Sequence, residues 1–205
     1  MSFEVIDNLF QVVMLGGMSL AALAAALWRG SRKCLVLAFA YACFAMGTLY
    51  YLLYLAVIGN NPKVFYVAEI SWLASYLFFL SLQIFKCDRK KIGFSVLPFV
   101  MSLIVGVSVL VFKIFGPAVI MSVLFALTAG VTVYISVYRL CVGEKGRGTD
   151  AVMTAAVFLQ VALYVVSEFT RDYTRFCPYF GVDIILTLSL AALTPLTVME
   201  ERSLK

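Results

Sequence analysis

Glu69, Trp72, Tyr76 and Gln83 follow one another at intervals of three, four and seven residues inside an otherwise apolar run. On a helix that spacing places a carboxylate, an indole, a phenol and an amide on one face. Hydrocarbon offers such groups no partner, and a lone charge at the centre of a bilayer costs roughly 2.5–3.5 kcal/mol. The stripe is therefore expected to face other helices. Similar stripes recur along the chain: Gln160, Tyr164, Ser167 and Glu168; Thr128, Thr132 and Ser136; Asp183 and Thr187; Thr48, Tyr50 and Tyr54.

Near one membrane face, Glu69, Glu168, Asp172 and Asp183 can converge with Arg171 and Arg175. The chemistry on offer is an outward-opening polar cavity lined by rings and carboxylates. It suits a small amphipathic or cationic ligand held by charge and by cation–π contact. The expected ligand-binding set is Glu69, Trp72, Tyr76, Gln83, Gln160, Tyr164, Glu168 and Asp183. The same residues also admit a purely structural role. Tyr and Trp populate membrane interfaces, Ser and Thr bond backbones within spans, and Glu69 can clamp to Arg171 or Arg175. Asp183 can act as an interfacial cap and Glu168 can reach the headgroups.

The elements that position these residues follow from composition. Of 205 residues, 63% are apolar and 13% charged, and mean hydropathy is +1.01. A soluble domain carries about a quarter charged residues, so a soluble enzyme is excluded. Histidine is absent, which removes the commonest general base and metal ligand. Cys34, Cys43, Cys87, Cys141 and Cys177 contain no C-x-x-C pair and read as free thiols. No cofactor, metal site or catalytic nucleophile–base pair is expected. The Gly143, Gly146 and Gly148 segment matches neither a dinucleotide fingerprint nor a P-loop. The net charge of +5 sits in short clusters between apolar runs, which argues against nucleic acid.

Seven apolar runs, about 9–28, 35–58, 64–85, 94–114, 117–139, 151–169 and 182–199, predict seven membrane-spanning helices in one all-α domain covering 1–205. Alternate loops carry twelve basic residues against four. The twelve are Arg29, Arg32, Lys33, Lys86, Arg89, Lys90, Lys91, Arg139, Lys145, Arg147, Arg202 and Lys205; the four are Lys63, Lys113, Arg171 and Arg175. The richer side is expected to be cytoplasmic, with the N-terminus outside and the C-terminus inside. Glu4 and Asp7 read as an exported segment before the first helix. Basic residues after rather than before that helix argue against a cleaved signal. Gly17, Ala21 and Ala25 read as a close-packing stripe toward another helix of this chain. A shift of 114 residues aligns Glu69 with Asp183, Tyr50 with Tyr164, Lys33 with Arg147 and Gly16 with Gly130, which hints at three helices, a linker helix and three more. Only eight identities support it, and the Pro-Gln signature of sugar transporters built on that plan is missing.

Ala68-Glu69-Ile70-Ser71-Trp72-Leu73-Ala74-Ser75-Tyr76-Leu77-Phe78-Phe79 resembles a helix of the multi-helix membrane sensor regions of bacterial signalling proteins. Those regions precede diguanylate cyclase or histidine kinase domains, whereas helix seven is followed here only by Glu200 to Lys205. The resemblance covers twelve residues, implies sensing and supplies no ligand residues. The expectation is a non-enzymatic sensor or accessory module in the cell membrane, of the bacterial cytoplasmic type. Lys86–Lys91 and Arg139–Arg147 would meet anionic membrane lipids or a cytoplasmic signalling partner. The alternative is a small secondary transporter using Glu69 and Asp183.

Overall fold

A bilayer core offers no water to backbone amides, so apolar runs of this length satisfy their hydrogen bonds internally as helices. The computed structural model describes residues 3–58, 66–87, 93–112, 118–143 and 146–203. They form seven helices and, among the described residues, no strand: α1 (Phe3–Arg29), α2 (Arg32–Ile58), α3 (Tyr66–Lys86), α4 (Val96–Val111), α5 (Val119–Val142), α6 (Arg147–Phe169) and α7 (Pro178–Ser203). All except α4 are long and apolar enough to cross a membrane. With 16 residues, α4 rises about 24 Å at ~1.5 Å per residue, against a hydrocarbon core of about 30 Å.

Helix neighbours define a ring. Going round it, α1 packs on α2, α2 on α3, α3 on α5, α5 on α6, α6 on α7, and α7 closes onto α1. Outside the ring, α4 packs mainly on α5. Its apolar side chains Leu97, Phe99, Leu103, Ile104, Val107 and Leu110 remain exposed. The interior is filled by Leu15, Tyr41, Tyr76, Phe79, Phe125, Leu186 and Leu190, all fully buried.

Two sets of contacts fix the ends of the bundle. At the N-terminal end, the Phe3 amide bonds Thr174 O at 3.3 Å, the Tyr51 hydroxyl bonds Glu4 Oε1 at 2.5 Å, and the Phe3 and Phe176 rings meet at 5.3 Å. At the C-terminal end, the last residues of α3, α5 and α7 meet the first turn of α6. Gly93, just before α4, donates its N–H to the Tyr138 hydroxyl and accepts from Tyr134, late in α5. The α4 helix thus starts where α3 ends and runs back antiparallel to α5.

Several boundaries differ from the sequence expectation. The first helix starts at Phe3 rather than near residue 9, so Asp7 lies inside α1 and is buried, not in a segment before the first helix. The sixth starts at Arg147 rather than 151, which brings in Asp150. The close-packing stripe is also corrected. Gly17 and Ala21 are exposed and nothing stands near a Cβ at Gly17. The packed face of α1 is Asp7, Gln11, Leu15, Ala22 and Ala26.

Close helix approach occurs instead at Gly47 in α2. A Cβ there would sit 2.9 Å from Trp72 Nε1 and 3.1 Å from Ala68 O. Farther along the bundle, Pro195 interrupts α7. Beside it Tyr41 donates to Leu190 O at 2.7 Å and accepts from Thr194 at 3.2 Å. Replacing Gly47 by Ala should force α3 away and cost about 1–3 kcal/mol, the usual price of overpacking. Thermal unfolding in detergent should show a midpoint lowered by several degrees. An unchanged midpoint would contradict the close α2–α3 contact.

Candidate functional site

Two polar clusters occupy the interior, one toward each end of the bundle. In the N-terminal half, α1 presents Asp7 and Gln11 one turn apart on its buried face. Gln11 is the hub. Its amide nitrogen donates to Asp183 Oδ1 at 2.9 Å and to Thr187 Oγ1 at 3.2 Å. Its carbonyl accepts from the Thr48 hydroxyl at 2.7 Å, and Thr48 in turn accepts from Trp72 Nε1 at 3.4 Å. One chain of hydrogen bonds therefore connects α3, α2, α1 and α7. Asp7 and Asp183 interact directly. The second oxygen of Asp7 and Glu69 Oε2 are buried without a hydrogen-bond partner among the described residues.

A second branch joins α3 to α6. The Tyr76 hydroxyl donates to Gln160 Oε1 at 2.9 Å, and its ring stands edge-on to Phe125 at 4.9 Å. Tyr164 bonds Gln160 and lies within electrostatic reach of Glu69 and Asp183. Tyr179 lies within reach of Asp7 and Asp183. The cluster is packed: Asp7, Gln11, Thr48, Tyr76, Gln160 and Asp183 are each at most 5% exposed.

Of the eight residues expected from sequence, Trp72, Tyr76, Gln160, Tyr164 and Asp183 meet here, with Glu69 half-buried at the edge. Glu168 is exposed on the end of α6. Gln83 is fully buried one turn before Lys86, in the opposite half, with neither amide atom hydrogen-bonded. The proposed clamp from Glu69 to Arg171 or Arg175 does not form among the described residues; both arginines are exposed. Asp172 turns back on its own loop, accepting from the Thr174 amide and hydroxyl at 2.8 and 2.6 Å. The Thr174 side chain, then its N–H, hold that carboxyl below the usual carboxylate range. Asp7 and Gln11 were missed. Their signal is the spacing Asp7, Gln11, Leu15, with polar groups continuing an apolar helical face.

The second cluster closes the C-terminal end. Lys86 Nζ lies 2.7 Å from Asp150 Oδ1 and 3.2 Å from Glu200 Oε2. Arg139 Nε reaches Asp150 Oδ2 at 3.0 Å, and its Nη1 donates to Lys86 O at 2.7 Å. Thr149 adds a bond to Glu200 at 3.1 Å. All four charged side chains are at most 6% exposed. Two cations and two carboxylates balance, and four helices are tied together. Gly143 caps α5 in the left-handed region, as helix ends favour. Gly146 (φ 90°) lies against Glu200, so any side chain there is both strained and blocked. Lys86 and Arg139 are therefore internal ion partners, not loop charges as their position in the sequence suggests. Cys34, Cys43, Cys87, Cys141 and Cys177 form no disulfide among the described residues.

Compared with known family models, with curated proteins and with solved structures, the chain matches none.

The ion cluster makes a sharp prediction. Lys86→Met leaves two buried carboxylates short of a partner and should cost about 3–5 kcal/mol. Lys86→Met combined with Glu200→Gln keeps the Arg139–Asp150 pair neutral and should recover a good part of the loss. The measurement is thermal unfolding of the single and double variants. Strictly additive losses would deny the coupling.

Proposed function

We propose that this is a multi-pass membrane protein acting as a ligand-responsive sensor or accessory module. Its site is the cluster formed by Asp7, Gln11, Glu69, Trp72, Tyr164 and Asp183. Its ligand is a small cation, most simply one with an apolar portion. The observation that carries this reading is the set of buried carboxyl oxygens left without partners at Asp7 and Glu69, in a region where no basic side chain compensates them among the described residues. Buried carboxyl oxygens without a partner favour a positively charged ligand that completes them, and the surrounding rings add cation–π attraction.

The proposed orientation places the N-terminus outside a cytoplasmic membrane of the bacterial type. Among the described residues the C-terminal end holds Arg29, Arg32, Lys33, Lys86, Arg139, Arg147 and Arg202, against Arg171 and Arg175 at the other. Such a bias marks the cytoplasmic side. The proposed number of crossings is seven. Support comes from α3 and α5, whose C-terminal ends both reach the Lys86 cluster, so the chain returns across the bundle through α4. Arg89, Lys90, Lys91 and Lys145, the proposed contacts for lipids or a cytoplasmic partner, lie outside the described residues.

One observation favours a second reading, a small transporter. The ring order is unchanged when α1, α2 and α3 are exchanged for α5, α6 and α7, with α4 left outside as a linker. Lys86 and Glu200, equivalent under the 114-residue shift, touch each other. Transporters are commonly built from such repeats around a central site.

Ligand binding is tested by thermal shift of the purified protein with tetraethylammonium, spermidine and a phenyl-substituted ammonium ion. At least one should raise the midpoint with rising concentration, as binding to the native state requires. Glu69→Gln and Asp183→Asn should each reduce the shift severalfold. Equal shifts in wild type and variants, or no shift with any cation, would remove this cluster from ligand binding. Uptake of the same cation into proteoliposomes, abolished by Glu69→Gln, would select the transporter reading. Orientation is tested with a membrane-impermeant thiol reagent on intact cells. Cys177 should react and Cys87 should not; the opposite pattern reverses every helix.

A further inference from the structure

At the C-terminal end lies a cavity that neither polar cluster uses. It sits where α1 turns into α2 beside the end of α7, and its volume is about 740 Å³. Arg29, Arg32, Lys33 and Arg202 line it, with Glu201 as the one carboxylate and Phe85 as the apolar wall. Glu201 is already engaged, because Ser31 donates to its Oε1 at 2.6 Å. None of the four cationic side chains forms an ion pair among the described residues, whereas Lys86 and Arg139 are both committed to carboxylates. The cavity thus holds an excess of three positive charges over Glu201, on side chains free to receive an anion.

The surroundings say which kind of anion. Leu27, Trp28, Leu35 and Phe85 are exposed around this end, Trp28 at 93%. An apolar collar beside a basic hollow matches an amphiphile with a charged head and hydrocarbon tails. Guanidinium groups recognise phosphate with paired N–H donors. Basic hollows between helices on the cytoplasmic side hold anionic headgroups, and the volume falls within the usual range of ligand pockets.

We infer that this cavity is a binding site for the phosphate group of an anionic phospholipid, held by Arg29, Arg32, Lys33 and Arg202. The inference stands apart from the cation site proposed above, which lies at the other end of the bundle.

The chain has two tryptophans, and Trp28 adjoins the cavity residue Arg29. In a Trp72→Phe background, fluorescence reports on Trp28 alone. The protein is reconstituted in vesicles of brominated phosphatidylglycerol mixed with unbrominated phosphatidylcholine, and in the reverse mixture. Preferential quenching by brominated phosphatidylglycerol gives its relative affinity at this position. The expected preference is on the order of tenfold, falling toward unity in Arg32→Gln/Arg202→Gln. Glycerol phosphate and inorganic phosphate at millimolar concentration should leave the preference unchanged. If either abolishes it, free phosphate rather than lipid is the occupant and the lipid assignment falls. Equal quenching by the two lipids in the Trp72→Phe protein alone overturns the proposal, whether or not the double variant folds. So does a preference that survives in a folded double variant.

Discussion

Lys86 and Asp150 meet at 2.7 Å with no exposed side-chain surface on either partner. A lone ion in that position is prohibitively unfavourable, so each determines where the other must be. Arg139 and Glu200 complete the balance, and the cluster brings α3, α5, α6 and α7 to one plane. The direction of α4 and the closing of the ring follow from that meeting point. Apolar packing alone drives little association between helices in lipid, where hydrocarbon is as good a neighbour as Leu. Specific polar contacts carry more of the ordering than in a soluble bundle.

The N-terminal cluster works differently. Its hub is neutral Gln11, and its acids have no basic partner among the described residues. The C-terminal cluster is satisfied and the N-terminal one is not. A buried polar group without a partner is costly, and such sites persist where a ligand or a proton completes them. That contrast is between a charge-balanced cluster at one end and carboxyl groups without basic partners at the other.

Much of the architecture was legible in the sequence. The described helices follow the apolar runs, and α5 ends at its Gly143 cap. Charge was the misleading signal. The rule that a charged residue ends a span holds where the charge meets water. It fails for Asp7 and Asp150, which lie inside helices because other helices supply their environment. It fails equally for Lys86 and Arg139, which belong to the positive side by position yet face inward. Trp72, Tyr76, Gln160 and Tyr164 were found because their helical spacing was regular. Gln11 was read only as part of an apolar run, since a single amide barely disturbs the pattern. Its partners on α2 and α7 lie 37 and 172 residues away, and no local pattern carries that pairing.

Helix α7 carries members of both clusters, Asp183 near its start and Glu200 near its end, with Pro195 between them. Proline removes one backbone hydrogen bond from the ladder and relieves the helix of stiffness at that level. A helix interrupted in this way bends more readily at that level than elsewhere, and there Tyr41 donates to Leu190 O and accepts from Thr194. Axial displacement passes along such a helix almost undiminished, whereas bending concentrates at the interruption. Movement of the Asp183 end across the membrane normal would reach Glu200 as a change of angle, at the point where Lys86 and Thr149 hold it.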